Sequence, residues 1–166
     1  MPLVISDSST LIHLADIGRL SLLKEFYGKI IIPPAVWREV VEEGKGRAGA
    51  AEVEEARRAK WIEVVLPVDE PFLRLLRRDL NEGEAEVIAL ALAQQADLVL
   101  LDESEARRIA ELYGLLKTGV IGVLMRAKRE GKIQSLRTEL DNLRRQAGFW
   151  IEEGLYHRAL RAVGEE

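Results

Sequence analysis

The sequence predicts an α/β fold: a mostly parallel central sheet of four to five strands, sandwiched between helices in three layers, with a helical C-terminal extension. Three observations predict it. The runs Leu3-Val4-Ile5, Ile30-Ile31-Ile32 and Leu98-Val99-Leu100-Leu101 are uniformly apolar, as strands buried on both faces are. Amphipathic segments of helical period separate them. The tail from about Gln134 carries no strand pattern at all.

Taken in order, Leu3–Ser8 reads as the first strand, followed by helices at Ser9–Ala15 and Leu20–Tyr27. Ile30–Ile32 is the second strand, stopped by Pro33-Pro34. Pro34 suits the first turn of a helix over Ala35–Glu43, which Gly44 ends. A charged helix is expected over Ala50–Lys60 and a third strand over Trp61–Leu66. Helices follow at Glu70–Asp79 and Glu82–Gln95, the latter capped by Asn81. Val99–Leu101 is the fourth strand, Glu103–Tyr113 a helix, Leu115–Thr118 a short fifth strand and Val120–Glu130 a helix. The tail is helical with a break near Gly148, and the domain is expected to span 1–133, with 134–166 packed on it as the extension.

Composition narrows the chemistry. The 166 residues suit one domain, and the absence of cysteine removes thiolate ligands, disulfides and cysteine nucleophiles. His13 and His157 are too few for an imidazole-rich zinc or iron site, so a bound metal would be held by oxygen, which points to Mg²⁺ or Mn²⁺. The net charge of −4 argues mildly against nucleic-acid binding, an objection that weakens if the negative charge is concentrated at a metal site. The start has no leader pattern and the apolar run Val87–Ala93 is too short to span a bilayer, so a cytoplasmic protein without membrane contact is expected.

The chemistry-bearing residues are acids. Asp7 and Asp102 end apolar strands, at the sheet edge where ligands gather in open α/β folds. A carboxylate there is costly without a cation. Ser8-Ser9-Thr10 can cap the next helix without an acid at the strand tip, which favours a functional Asp7 over its competing reading as an ordinary Asx turn, and Asp102 could cap helix Glu103–Tyr113. Glu84 shares the apolar face of its helix with Val87, Ile88 and Ala91, and it also suits the helix dipole. One of Glu39, Glu42 and Glu43 could line the same cup. Glu105, one turn beyond Asp102, is either a peripheral ligand or a first-turn acid. Trp37, Trp61 and Trp150 read as packing residues rather than base-stacking ones, His13 as a helix-surface residue, and Leu136, Leu140 and Leu143 as an amphipathic stripe that closes the core or pairs two subunits.

Four segments carry a resemblance. Val4-Ile5-Ser6-Asp7-Ser8-Ser9-Thr10-Leu11-Ile12 resembles the opening motif of PIN domains, and Ile32-Pro33-Pro34-Ala35-Val36-Trp37-Arg38-Glu39-Val40 the second, with the family's acid at Glu39. Gly83-Glu84-Ala85-Glu86-Val87-Ile88-Ala89-Leu90-Ala91 is similar to the third and Leu98-Val99-Leu100-Leu101-Asp102-Glu103 to the fourth. Gly119-Val120-Ile121-Gly122-Val123-Leu124 and Gly148-Phe149-Trp150-Ile151 bring it closest to an uncharacterised prokaryotic subgroup, over nearly the whole chain.

In PIN domains the matching acids bind one or two divalent ions, and many members hydrolyse single-stranded RNA. Others act on structured nucleic acids or have lost activity, and many prokaryotic members are VapC-type toxins paired with an antitoxin. The resemblance therefore implies a Mg²⁺- or Mn²⁺-dependent endoribonuclease, with Asp7, Glu39, Glu84 and Asp102 as its catalytic metal-binding acids. It further implies Glu105 as a less central ligand and Ser9 as a hydroxyl behind the acids. Glutamate at position 84 departs from the aspartate of many members. Arg38, Arg107, Arg108 and Lys117 adjoin motif residues or strand ends and are candidates to grip RNA, although each could equally form surface ion pairs. An antitoxin and a second copy of the chain are the candidate protein partners. The alternative is a catalytically weak module that binds nucleic acid or protein. A phosphatase of the Asp-x-Asp kind is disfavoured by Ser9, and a receiver domain by the Pro67-Val68 that ends the third strand.

Overall fold

A computed structural model describes residues 2–166. Five parallel strands form one sheet in the order β3-β2-β1-β4-β5: β1 (Val4–Ser6), β2 (Ile30–Ile32), β3 (Ile62–Val64), β4 (Leu98–Leu100) and β5 (Lys117–Thr118). β1 lies at the centre, with Ile5 opposite both Ile31 and Val99. The sheet is wholly parallel, and its strands are shorter than the apolar runs predict. Ser8, expected at the end of β1, instead begins helix α1 (Ser8–Asp16), because Asp7 caps that helix.

Chain direction fixes the layers. β1, β2 and β3 step one way across the sheet, so right-handed crossovers put α1, α2 (Ser21–Tyr27), α3 (Pro34–Trp37) and α4 (Ala50–Arg58) on one side. The chain then crosses back past β1 to β4, carrying α5 (Glu70–Leu76), α6 (Glu82–Gln94) and α7 (Ser104–Leu112) to the other side. Helix α8 (Val120–Arg129) returns to pack on α1 and α2, and α9 (Leu136–Gln146) packs on α1 and α8, with α10 (Glu153–Ala162) against α9. Leu136, Leu140 and Leu143 are fully buried there, so the apolar stripe of the tail closes the core.

Two local features set up the site. The helix expected over Ala35–Glu43 continues past α3 as a π-helical stretch, Arg38–Glu42, in which the Glu43 N–H donates to the Arg38 carbonyl at 2.7 Å. Widened turns of this kind are frequent at functional sites. Helix α6 is buried continuously from Gly83 to Ala91, which its Ala-rich sequence allows, and it lies across β1 and β4. No helix among the described residues is long and apolar enough to cross a membrane.

Candidate functional site

Asp7 follows β1 directly, and its backbone N–H donates to the Leu100 carbonyl of β4 at 3.0 Å. The carboxylate is 3 % exposed. One oxygen accepts the Thr10 N–H at 2.9 Å as the N-cap of α1, and the other accepts the Asp102 N–H at 3.1 Å. The Asx-turn role and a place beside the second acid are therefore combined in one side chain. Ser8-Ser9-Thr10 does not supply the cap.

Asp102 does not cap the following helix, whose N-cap position is Glu103 without a side-chain bond. Its carboxylate turns the other way, accepting the Thr10 hydroxyl at 3.0 Å and the Val120 N–H at the start of α8 at 2.9 Å. Position 119 must be glycine for this approach: a Cβ there would collide with the Asp102 carboxylate. Thr10 thus ties the two strand-end acids together, its N–H on one and its hydroxyl on the other.

The glutamates come from the helices. In the π-helical stretch Glu39 accepts the Ser8 hydroxyl at 2.5 Å, while Glu42 and Glu43 are exposed, which decides among the three. A Cβ at Gly83 would lie 3.3 Å from the Glu39 carboxylate, so the α6 N-terminus passes close beside it. Glu84 forms a capping box, accepting the Asn81 N–H at 3.2 Å while its own N–H donates to the Asn81 side chain at 2.8 Å.

Electrostatics couple these groups pairwise. Burial first, then the charge of Asp102, pushes Asp7 up to about 7, against the pull of its hydrogen bonds. Burial, with Glu103 and Glu39 adding like charge, also raises Glu84. Among the described residues no Lys or Arg forms an ion pair with Asp7, Glu39, Glu84 or Asp102; His13 Nδ1 lies 3.7 Å from Asp102, and the Arg107 guanidinium comes near the same carboxylate beside Gly119. That nitrogen is buried without a hydrogen-bond partner, so His13 faces inward rather than lying on the helix surface as expected.

The acids fall into two pairs: Asp7 and Asp102 are linked through Thr10, whereas Glu39 and Glu84 have separate hydrogen-bond partners and feel each other only as like charges. Among the described residues no three acidic or imidazole side chains converge closely enough to hold an ion as they stand. The donor chemistry nevertheless fits a hard divalent cation: all-oxygen, buried or half-buried, and in no ion pair with Lys or Arg. Each carboxylate is held by N–H or O–H donors that leave further lone pairs free.

Other expected residues fall elsewhere. Glu105 is exposed and pairs with Arg108 at 2.6 Å, outside the acid group. The hydroxyls that reach the acids are those of Ser8 and Thr10, rather than Ser9. Arg107 donates to the Leu101 carbonyl at 2.9 Å and Lys117 lies 3.6 Å from Glu111, whereas Arg38 is exposed and makes no ion pair among the described residues. Trp37 and Trp61 pack on the core as expected, Trp37 under the Arg57 guanidinium at 4.4 Å. Trp150 does not; it is 79 % exposed.

Glu86 has a role that its place in the sequence does not announce. It is buried in α6, accepts the Ala35 N–H at 3.0 Å and so caps α3 across 51 positions of sequence. Burial and a hydrogen bond with Glu82 raise its pKa, Glu82 being held in turn by Arg77 at 2.5 Å. The only signal was the Glu82-x-Glu84-x-Glu86 repeat, which puts Glu82 and Glu86 on one face and Glu84 on another.

A parallel sheet whose central strands end in paired aspartates, with glutamates brought alongside by two helices, defines a nuclease-type α/β/α domain. The family model DUF3368, described as PIN domain, matches residues 3–165, and the chain belongs to that family. No curated protein matches the chain significantly.

Proposed function

We propose that this protein is a metal-dependent ribonuclease that hydrolyses phosphodiester bonds of single-stranded RNA, and that it serves as the toxin of a toxin–antitoxin pair in the cytoplasm. The observation that carries the reading is the Asp7–Asp102 pair. Two carboxylates at the ends of adjacent strands are bridged by Thr10, and burial, reinforced by the charge of Asp102, holds the proton on Asp7. A protein gains nothing in stability from that repulsion, which a cation would relieve.

In this reading Asp7, Glu39, Glu84 and Asp102 hold Mg²⁺ or Mn²⁺, with Glu105 left to its ion pair. The bound ion would activate water and neutralise charge on the scissile phosphate. The chain's own part is to fix the donors. Thr10 orients both aspartates, Ser8 orients Glu39, and Asn81 restrains Glu84. Ionisation of Asp7 is required before it can act as a ligand, so occupancy of the site releases a proton near neutral pH. Arg38 is the cation best placed to meet RNA phosphate.

A second reading, a catalytically weak module that binds RNA or protein, is favoured by one observation: the acids are already satisfied by internal donors and no three of them share a point. Incubation of pure protein with a single-stranded RNA and Mn²⁺ separates the two. The nuclease reading expects cleavage that EDTA stops and Asp7→Asn abolishes with the fold intact. Binding without cleavage favours the module.

A further inference from the structure

We infer that Trp150 is a base-stacking platform, which seats a nucleotide of the single strand at the rim of the acid cup. The inference deepens the ribonuclease reading and rests on it. Exposure of a tryptophan is not evidence by itself, but the placement of this one is. The preceding residue, Phe149, meets His13 edge-on, with ring centroids 4.7 Å apart and planes at 71°. His13 in turn approaches Asp102 at 3.7 Å. The segment after α9 is therefore joined to Asp102 through Phe149 and His13, which puts the residue next to Phe149 within the span of a few nucleotides of the acids.

The segment is also anchored on either side of the indole. The Phe149 N–H donates to the Leu143 carbonyl at 3.1 Å. Ile151 is buried, and its carbonyl accepts from Arg144 at 3.1 Å. Phe149 half-buried, Trp150 exposed and Ile151 buried is the alternation of an extended strap, which directs the middle side chain outward. The ring is thus presented to solvent by a backbone fixed before and after it, so little order is lost when a base stacks on it. Arg145, exposed and bonded to Asn142 at 2.9 Å rather than to an acid, supplies a cation a few residues away. Stacking on an aromatic face tolerates any base, as a single-strand nuclease requires.

The test is steady-state cleavage of a single-stranded RNA with Mn²⁺ by the full chain, alongside quenching of tryptophan fluorescence by the same RNA. Trp150→Ala is expected to raise KM about 5- to 100-fold, with the loss falling on KM rather than kcat, and Trp150→Tyr to restore most of it. An RNA with an abasic nucleotide beside the cleavage position should lose affinity for the wild type but not for Trp150→Ala. Wild-type protein that neither binds nor cleaves RNA sinks the ribonuclease reading and this inference together. Wild-type cleavage with an unchanged KM in Trp150→Ala overturns the inference alone and leaves the ring to a protein partner.

Discussion

Asp7 and Asp102, 95 positions apart, share one threonine: the Thr10 N–H binds the first carboxylate at 2.9 Å and its hydroxyl the second at 3.0 Å. Backbone hydrogen bonds between β1 and β4 set that spacing, and repulsion between the two acids is the cost. Removing Thr10's hydroxyl while keeping its shape isolates the link. Thr10→Val is expected to weaken Mn²⁺ binding about 10- to 100-fold, as loss of a group supporting a ligand does, whereas Ser9→Ala is expected to leave it unchanged. Calorimetric titration of the two variants checks this.

The raised Asp7 pKa makes stability depend on pH. In the unfolded chain Asp7 ionises at its ordinary 3.8, whereas in the folded chain it holds its proton to about 7. The folded state therefore binds more protons between those values, and stability falls as pH rises from about 4 to about 7, then levels off. Glu84 and Glu86, raised in the same direction, add to the slope. Urea unfolding at pH 5 and pH 8 should give the lower midpoint at pH 8, and Mn²⁺ should recover much of the difference.

Asp7→Asn is expected to flatten that pH dependence while lowering cleavage at least about 100-fold, more than supporting groups usually cost. The asparagine oxygen can still cap α1, so the fold survives. Circular dichroism, with unfolding midpoints at both pH values, separates loss of chemistry from loss of structure.

Gly119→Ala tests the close approach at the second aspartate. The added methyl meets the Asp102 carboxylate, with Leu101 carbonyl and Arg107 guanidinium atoms beside it, so Asp102 must leave the Val120 N–H. Overpacking of this kind costs about 1–3 kcal/mol. A lower melting temperature with weakened metal binding is the expected result; a variant identical to wild type in both would show that Asp102 is free to move.

Much of the fold was legible because strands buried on both faces are apolar throughout, and the β-branched run Ile30-Ile31-Ile32, stopped by Pro33-Pro34, is too short for a buried helix. The four acids were legible as motif positions. What escaped was set by tertiary contact. Capping by Asp7 moves the start of α1 to Ser8, which turns Ser8 and Thr10, not Ser9, toward the acids. The π-helical stretch that presents Glu39 has no signature in Arg38-Glu39-Val40-Val41-Glu42. Glu86 needed Ala35 as its partner before its capping role could be read, and the exposure of Trp150 follows from the anchors at Phe149 and Ile151.

The central claim, that acids from β1, β4, the π-helical stretch and α6 act on one ion, is tested most directly by measuring Mn²⁺ affinity at pH 7.5. Wild type is expected to bind Mn²⁺ with release of a fraction of a proton, Asp7 being mostly ionised already at this pH, and Asp7→Asn, Glu39→Gln, Glu84→Gln and Asp102→Asn each to weaken it at least about 10-fold. Affinity unchanged in all four variants, or no binding by the wild type, would contradict it.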